Sequence, residues 1–239
     1  MLEYILLILV GFGGGFIQRV SGFGLGIFVM MFLPYFLPSH TAAATVSCLF
    51  SCVTSTYNAI RYRKDVSYTA VVPLLAASLV TIPIAVRFAA FVSGDVFKIL
   101  LGTVLILLSL YFLFFNDRIR IRPSVGGGML AGGIGGMLNG LFSTGGPPVV
   151  LYLSQTAPDT ITYFATIQFY FCLTNLYATA SRAISGLVDA PLLIYAAVGM
   201  LGCMAGDYVG KRVFDKLDGN KLKKVIYIAM IISGVIMLF

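Results

Sequence analysis

The sequence predicts an all-α integral membrane protein built as an inverted repeat. Two five-element halves supply about eight to ten transmembrane or re-entrant helices, with broken helices near the midplane. Three observations lead there. Hydrophobic residues make up 59% of the chain and charged ones 10%, where soluble domains carry about a quarter charged. Apolar runs of about 20 residues, the length that crosses a bilayer, recur along the chain. The third observation is internal similarity. A shift of 122 residues lays Gly11, Gly13, Gly14, Ser21 and Gly24 on Gly133, Gly135, Gly136, Ser143 and Gly146. Towards the end of each half a shift of 125 lays Arg87, Gly94, Lys98 and Leu113 on Arg212, Gly219, Lys223 and Leu238. The halves are 1–116 and 123–239, joined by the linker 117–122.

The first half opens with two apolar segments, Leu2–Arg19 and Gly22–Leu37, joined at Val20-Ser21. They form either two short spans or a re-entrant pair meeting near the midplane. Thr41–Tyr62 is the third segment, with Ser39 placed to cap its first turn. After the basic loop Arg61–Lys64 come Val66–Val92, which carries Pro73 and Pro83, and Gly94–Phe115. The second half repeats the scheme as Ser124–Phe142, Gly145–Thr156, Thr160–Ala183, Val188–Phe214 and Asn220–Phe239. The first segment lacks a basic leader and an A-x-A site, so it is expected to stay attached rather than be cleaved as a signal peptide.

The second opening pair is the stretch that organises the chain. Gly126–Val150 reads GGGMLAGGIGGMLNGLFSTGGPPVV and contains no charge. Glycine costs about 1 kcal/mol in a helix and proline about 3. A chain that accepts both here uses glycine for close helix approach and proline for a deliberate break. Proline suits the first helical turn, so Ser143–Pro148 reads as one helix ending and another beginning. The new helix aims free N–H groups and its positive dipole end at whatever lies there. Gln18, Ser21 and Gly22 in the first break, with Asn139, Ser143, Thr144 and Gly145 in the second, are therefore candidate substrate-lining residues. Arg19 joins them as a charge at depth.

The segment Thr160–Ala183 carries Gln168, Cys172, Asn175, Thr179 and Arg182 along one helical stripe. Gln168 and Asn175 complete the candidate site. Thr41, Thr45, Cys48, Cys52 and Ser55 repeat that spacing in the first half, where helix packing is the plainer role. Tyr57 and Asn58 are placed to line the inner exit or to anchor at the interface. Asp207 lies deep in the ninth segment and is expected to pair with Lys211 four residues on. His40 is the only histidine, so no metal site is expected. Cys48, Cys52, Cys172 and Cys203 fall inside spans without a CxxC spacing.

Net charge is +7, but most basic residues sit in Arg61–Lys64, in the linker (Arg118, Arg120, Arg122) and around the last loop. That placement argues for membrane orientation rather than nucleic-acid binding. With these loops cytoplasmic, both termini are extracytoplasmic. An odd number of elements per half turns the second half upside-down. Inverted repeats with broken helices mark secondary transporters, with substrate at the repeat interface.

GFIQRVSGFGLGIFVMMFLP, SHTAAATVSCLFSCVTSTYNAIRYRKDV and SGLVDAPLL resemble the TauE/SafE family of sulfite exporters and related anion permeases across nearly the whole chain. The resemblance implies transport of a small sulfur-containing anion, such as sulfite, sulfoacetate or another sulfonate, across a bacterial inner (plasma) membrane. No enzymatic activity and no cofactor are expected, and Asp207 is the residue that a coupling proton or sodium ion could use. The bilayer and a homo-oligomer are the remaining partners. The alternatives are a membrane thiol–disulfide oxidoreductase using the cysteines and an anion channel.

Overall fold

The structure is a computed structural model that describes residues 2–114, 124–213, 228, 231–236 and 238. The linker 117–122, its arginines and most of the last segment (220–239) lie outside the described residues. Among those described, regular structure is helical throughout. In order the helices are α1 (Leu2–Ser21), α2 (Leu25–Met30), α3 (His40–Arg61), α4 (Tyr68–Phe91), α5 (Gly94–Phe114), α6 (Val125–Phe142), α7 (Gly146–Thr156), α8 (Thr160–Ile184) and α9 (Ala190–Val213). Two short 3-10 turns, Leu33–Tyr35 and Arg63–Asp65, flank α3.

The helix starts follow from local chemistry. Ser39, Ser124 and Asp159 take extended backbone and accept N–H groups of the first turns of α3, α6 and α8 through their side chains. This satisfies donors that have no partner inside the helix. The apolar run Gly22–Leu37 does not form one helix. α2 stops after six residues, and the chain tightens into the turn at Leu33–Tyr35, where Pro34 has no N–H to continue an α-helix.

Five helices are long and apolar enough to cross a membrane: α1, α4, α5, α6 and α9. Their outward faces carry Leu9, Val80, Leu107, Leu130 and Leu201, all more than half exposed. Such surface is stable against lipid and unstable against water. α3 and α8 have 22 and 25 residues, about 33 and 37 Å at 1.5 Å per residue. They match spanning length, yet their polar side chains make them less apolar. They pack against each other and are flanked by α9 and α4, which keeps those side chains away from lipid.

Both opening pairs reverse direction. α2 folds back along α1, with Phe28 beside Gly13 and both Leu25 and Val29 beside Gly14. α7 folds back along α6, so that the Tyr152 hydroxyl donates to the Ser124 carbonyl at 3.2 Å. The first member of each pair is a full helix of 20 or 18 residues, longer than a half-helix. Only α2 and α7 are short.

The long members hold because glycine lets backbones touch. Gly11 and Gly15 of α1 face Gly199 and Cys203 of α9, while Gly202 and Gly206 face Ile8 and Phe12. Gly128, Gly132, Gly136 and Gly140, four residues apart on α6, meet Pro73, Leu74, Ser78 and Ala85 of α4. A Cβ on Gly132 would overlap the Leu74 carbonyl, whereas a Cβ on Gly126 meets nothing within 4 Å. Without a hydrophobic drive between helices in lipid, such contact is a principal source of association.

Alanine at each position gains about 1 kcal/mol of helix propensity. Overpacking at Gly132 costs about 1–3 kcal/mol or more. Gly126→Ala should therefore melt at or above the parent in detergent, and Gly132→Ala clearly below it. Equal melting temperatures would remove close approach as the reason for the glycines.

Candidate functional site

The two reversals touch. A Cβ on Gly26 would overlap the Ser143 carbonyl, and one on Gly146 would sit 3.4 Å from Cβ of Phe23. Between them lies a cavity of about 20 Å³, room for about one water-sized group. Gln18 of α1 and the segment 24–27 form one side; Asn139 and the segment 143–146 form the other. Ser51 of α3, with Phe171 and Asn175 of α8, closes the remainder. Ser51 and Asn175 stand near the middle of their helices, so the cavity lies about halfway along the central pair.

Three polar atoms on this wall have no hydrogen-bond partner among the described residues: Asn139 Nδ2, Ser143 Oγ and Thr144 Oγ1. Their residues are 3, 6 and 2% exposed. A buried donor left unpaired costs about 1–3 kcal/mol, so three at one cavity make a surface that gains from an acceptor.

Ser143 itself has φ 58°, the left-handed region, and is the non-glycine residue that adopts it among those described. Such backbone costs on the order of 1–3 kcal/mol and persists where the surroundings impose it. Its N–H closes on the Asn139 carbonyl at 2.9 Å, and the Thr144 N–H closes on that of Leu138 at 3.3 Å. α7 begins here, and Gly145 and Gly146 at its start line the cavity. Pro147 and Pro148 have no N–H, so the donors at this end are concentrated in the two glycines.

One helix closes both reversals. Gln168 of α8 donates to the Gly22 carbonyl at 2.9 Å and accepts from Gln18 at 3.1 Å. Further along α8, Arg182 donates through Nη2 to the carbonyls of Gly140 at 2.8 Å and Asn139 at 3.3 Å. Asn175 lies between the two and faces the cavity.

Of the sequence-predicted residues, Gln18, Asn139, Ser143, Thr144, Gly145 and Asn175 line this cavity. Gln168 and Gly22 stand one hydrogen bond behind Gln18. Ser21 bonds back to the Ile17 carbonyl at 2.7 Å and serves the turn. Arg19 points elsewhere: its guanidinium donates to Asn58 Oδ1 at 3.0 Å and to the Tyr62 hydroxyl at 2.8 Å, and it lies over the Phe164 ring. Asn58 passes the contact on, donating to Asp207 at 3.2 Å. The expected Asp207–Lys211 pair is thus replaced, because Asn58 of the neighbouring helix reaches the carboxylate.

Sequence reasoning misses Ser51, Phe171 and the 24–27 segment. Ser47 and Ser51, four residues apart on α3, form a small-hydroxyl stripe beside the Thr41–Ser55 one, and that spacing is the signal that could have found Ser51. Among the cysteines, Cys48 contacts the Thr179 hydroxyl at 3.5 Å and Cys172 that of Thr56 at 3.4 Å. All four thiols are free. The described residues hold no group of three His, Cys, Asp or Glu able to bind a metal.

Residues 7–237 match the family described as sulfite exporter TauE/SafE. The chain belongs to that family. A relative from Cupriavidus necator, named a probable sulfite/organosulfonate exporter TauE, is 23% identical over 203 residues, covering 83% of this chain and 79% of that protein. No solved structure matches. Family and helices together make this a multi-pass membrane protein of an exporter family.

Removing Arg19 leaves Asn58 Oδ1 without its donor and weakens the hold of Asn58 on Asp207, at a cost of about 1–3 kcal/mol. Arg19→Gln and Asp207→Asn should each lower the melting temperature, and the double variant should lose less than the sum. Additive losses would show that Asn58 does not couple the two charges.

Proposed function

We propose that this TauE/SafE family member is a secondary transporter that moves small sulfur-containing anions, such as sulfite, sulfoacetate or other sulfonates, across the cell (inner) membrane. The observation that carries the reading is the trio of unpaired donors on Asn139, Ser143 and Thr144. They face a cavity whose described lining holds no carboxylate, at the start of α7. An anion with several acceptor oxygens is the ligand such a wall satisfies. At about 20 Å³ the cavity has room for about one water-sized group, so binding a sulfonate requires the reversals to part. Alternating access around this point is the mechanism we favour.

The packing supports the two-half reading. α1 lies along α9 as α6 lies along α4, α3 meets α8, and the α3–α9 contact corresponds to that of α8 with α4. Exchanging the halves maps α1–α9 onto α6–α4 and α3–α9 onto α8–α4, and returns α3–α8 to itself. We take the repeat to be inverted, with the 117–122 linker cytoplasmic and both termini outside. No cofactor enters the reading; for a coupled proton or sodium ion, Asp207 is a buried carboxylate within the described helices.

Two measurements test these statements. In purified protein, Ser143→Ala and Asn139→Ala should each weaken sulfite or sulfoacetate binding about 10- to 100-fold, the loss of one hydrogen bond to a charged group. Ser143→Gly, which relieves the positive φ, should lose affinity without losing stability. Unchanged affinity in all three moves the site elsewhere. A cysteine introduced at Asn116 should label only from the cytoplasm; labelling from outside overturns the orientation.

A further inference from the structure

Arg182 is fully buried on α8. Its Nη2 holds the Asn139 and Gly140 carbonyls, while Nε and Nη1 have no partner among the described residues. Among those residues no carboxylate pairs with it. An uncompensated cation in a low-dielectric interior is costly and calls for a function. Its position supplies one. α6 ends at the cavity, and the carbonyls of a helix C-terminus carry partial negative charge, which repels an anion. Arg182 sits on those carbonyls, and Asn139, whose backbone it holds, presents an unpaired Nδ2 to the cavity. Arg19, the other deeply placed arginine of the site region, is engaged with Asn58 and Tyr62.

We infer that Arg182 is the charge that sets the anion preference of the cavity: a positioning residue that offsets the C-terminal end of α6, fixes Asn139 and favours a doubly charged sulfur oxyanion over a singly charged one. The inference rests on the transport reading above. A charge one residue behind the wall attracts a dianion about twice as strongly as a monoanion. It needs no contact with the ligand.

The test compares sulfite at about pH 8.5, where it is a dianion, with methanesulfonate, a monoanion that keeps the sulfur–oxygen face. Binding is measured calorimetrically on the purified full chain. The parent should prefer sulfite. Arg182→Lys, which keeps the charge, should retain that preference. Arg182→Gln should lower sulfite affinity about tenfold or more while lowering that of methanesulfonate less, so the ratio falls. Should Arg182→Gln not fold, Cys48→Asp provides the second arm. Cys48 of α3 packs on the Arg182 stripe of α8, against the Asn175 carbonyl at 3.6 Å and the Thr179 hydroxyl at 3.5 Å, so a carboxylate there is placed within about one turn of the guanidinium and should lower the ratio equally. A ratio unchanged in Arg182→Gln or in Cys48→Asp overturns the inference and leaves the transport reading intact. A parent that binds neither anion overturns both.

Discussion

A helix that ends inside a membrane protein leaves carbonyls that no water can reach, and closing those ends shapes this structure. α1 and α6 both end among other helices. Carbonyls at those ends are taken by Gln168 and Arg182, two side chains of the same helix. α8 is therefore more polar than a lipid-facing helix tolerates, which obliges it to lie at the centre against α3. The placement of the cavity follows, because the stretch of α8 between its two capping side chains is the stretch that faces the reversals.

The closure is incomplete where the second reversal meets the first. The Ser143 and Thr144 N–H groups there close on carbonyls of α6, but three side-chain donors have no partner among the described residues. The energy lost is recoverable by a ligand, and this separates a binding surface from a packing defect. The Arg19–Asn58–Asp207 group shows the contrasting case: polar side chains of three helices whose charges answer one another. Depth alone does not make a charged residue part of a site.

Much of this is legible in the residues. Ser39 and Ser124 announce helix starts, and the break at Ser143–Pro148 stands where glycine and proline chemistry put it. Periodicity places Gln18, Asn139 and Asn175 on faces that meet. It does not say which neighbour a face will meet, and there the sequence falls short. Arg19 has a partner 39 residues away on α3. Ser51 escapes notice because two small-residue stripes run side by side on α3. Arg182 shows in the sequence as a stripe member, but its role depends on which carbonyls lie opposite, a tertiary fact.

The glycine seams have a mechanical consequence. Where a helix rests on the backbone of its neighbour, sliding requires climbing over whole residues, so α1 with α9 and α6 with α4 behave as two stiff blocks. Each block carries one reversal. A change in the separation of the reversals must then be taken up between the blocks, along the α3–α8 contact. Threonine and cysteine side chains bridge that contact, and they can exchange one hydrogen bond for another at small cost. The seam between the blocks is thus held by small polar side chains rather than by backbone contact.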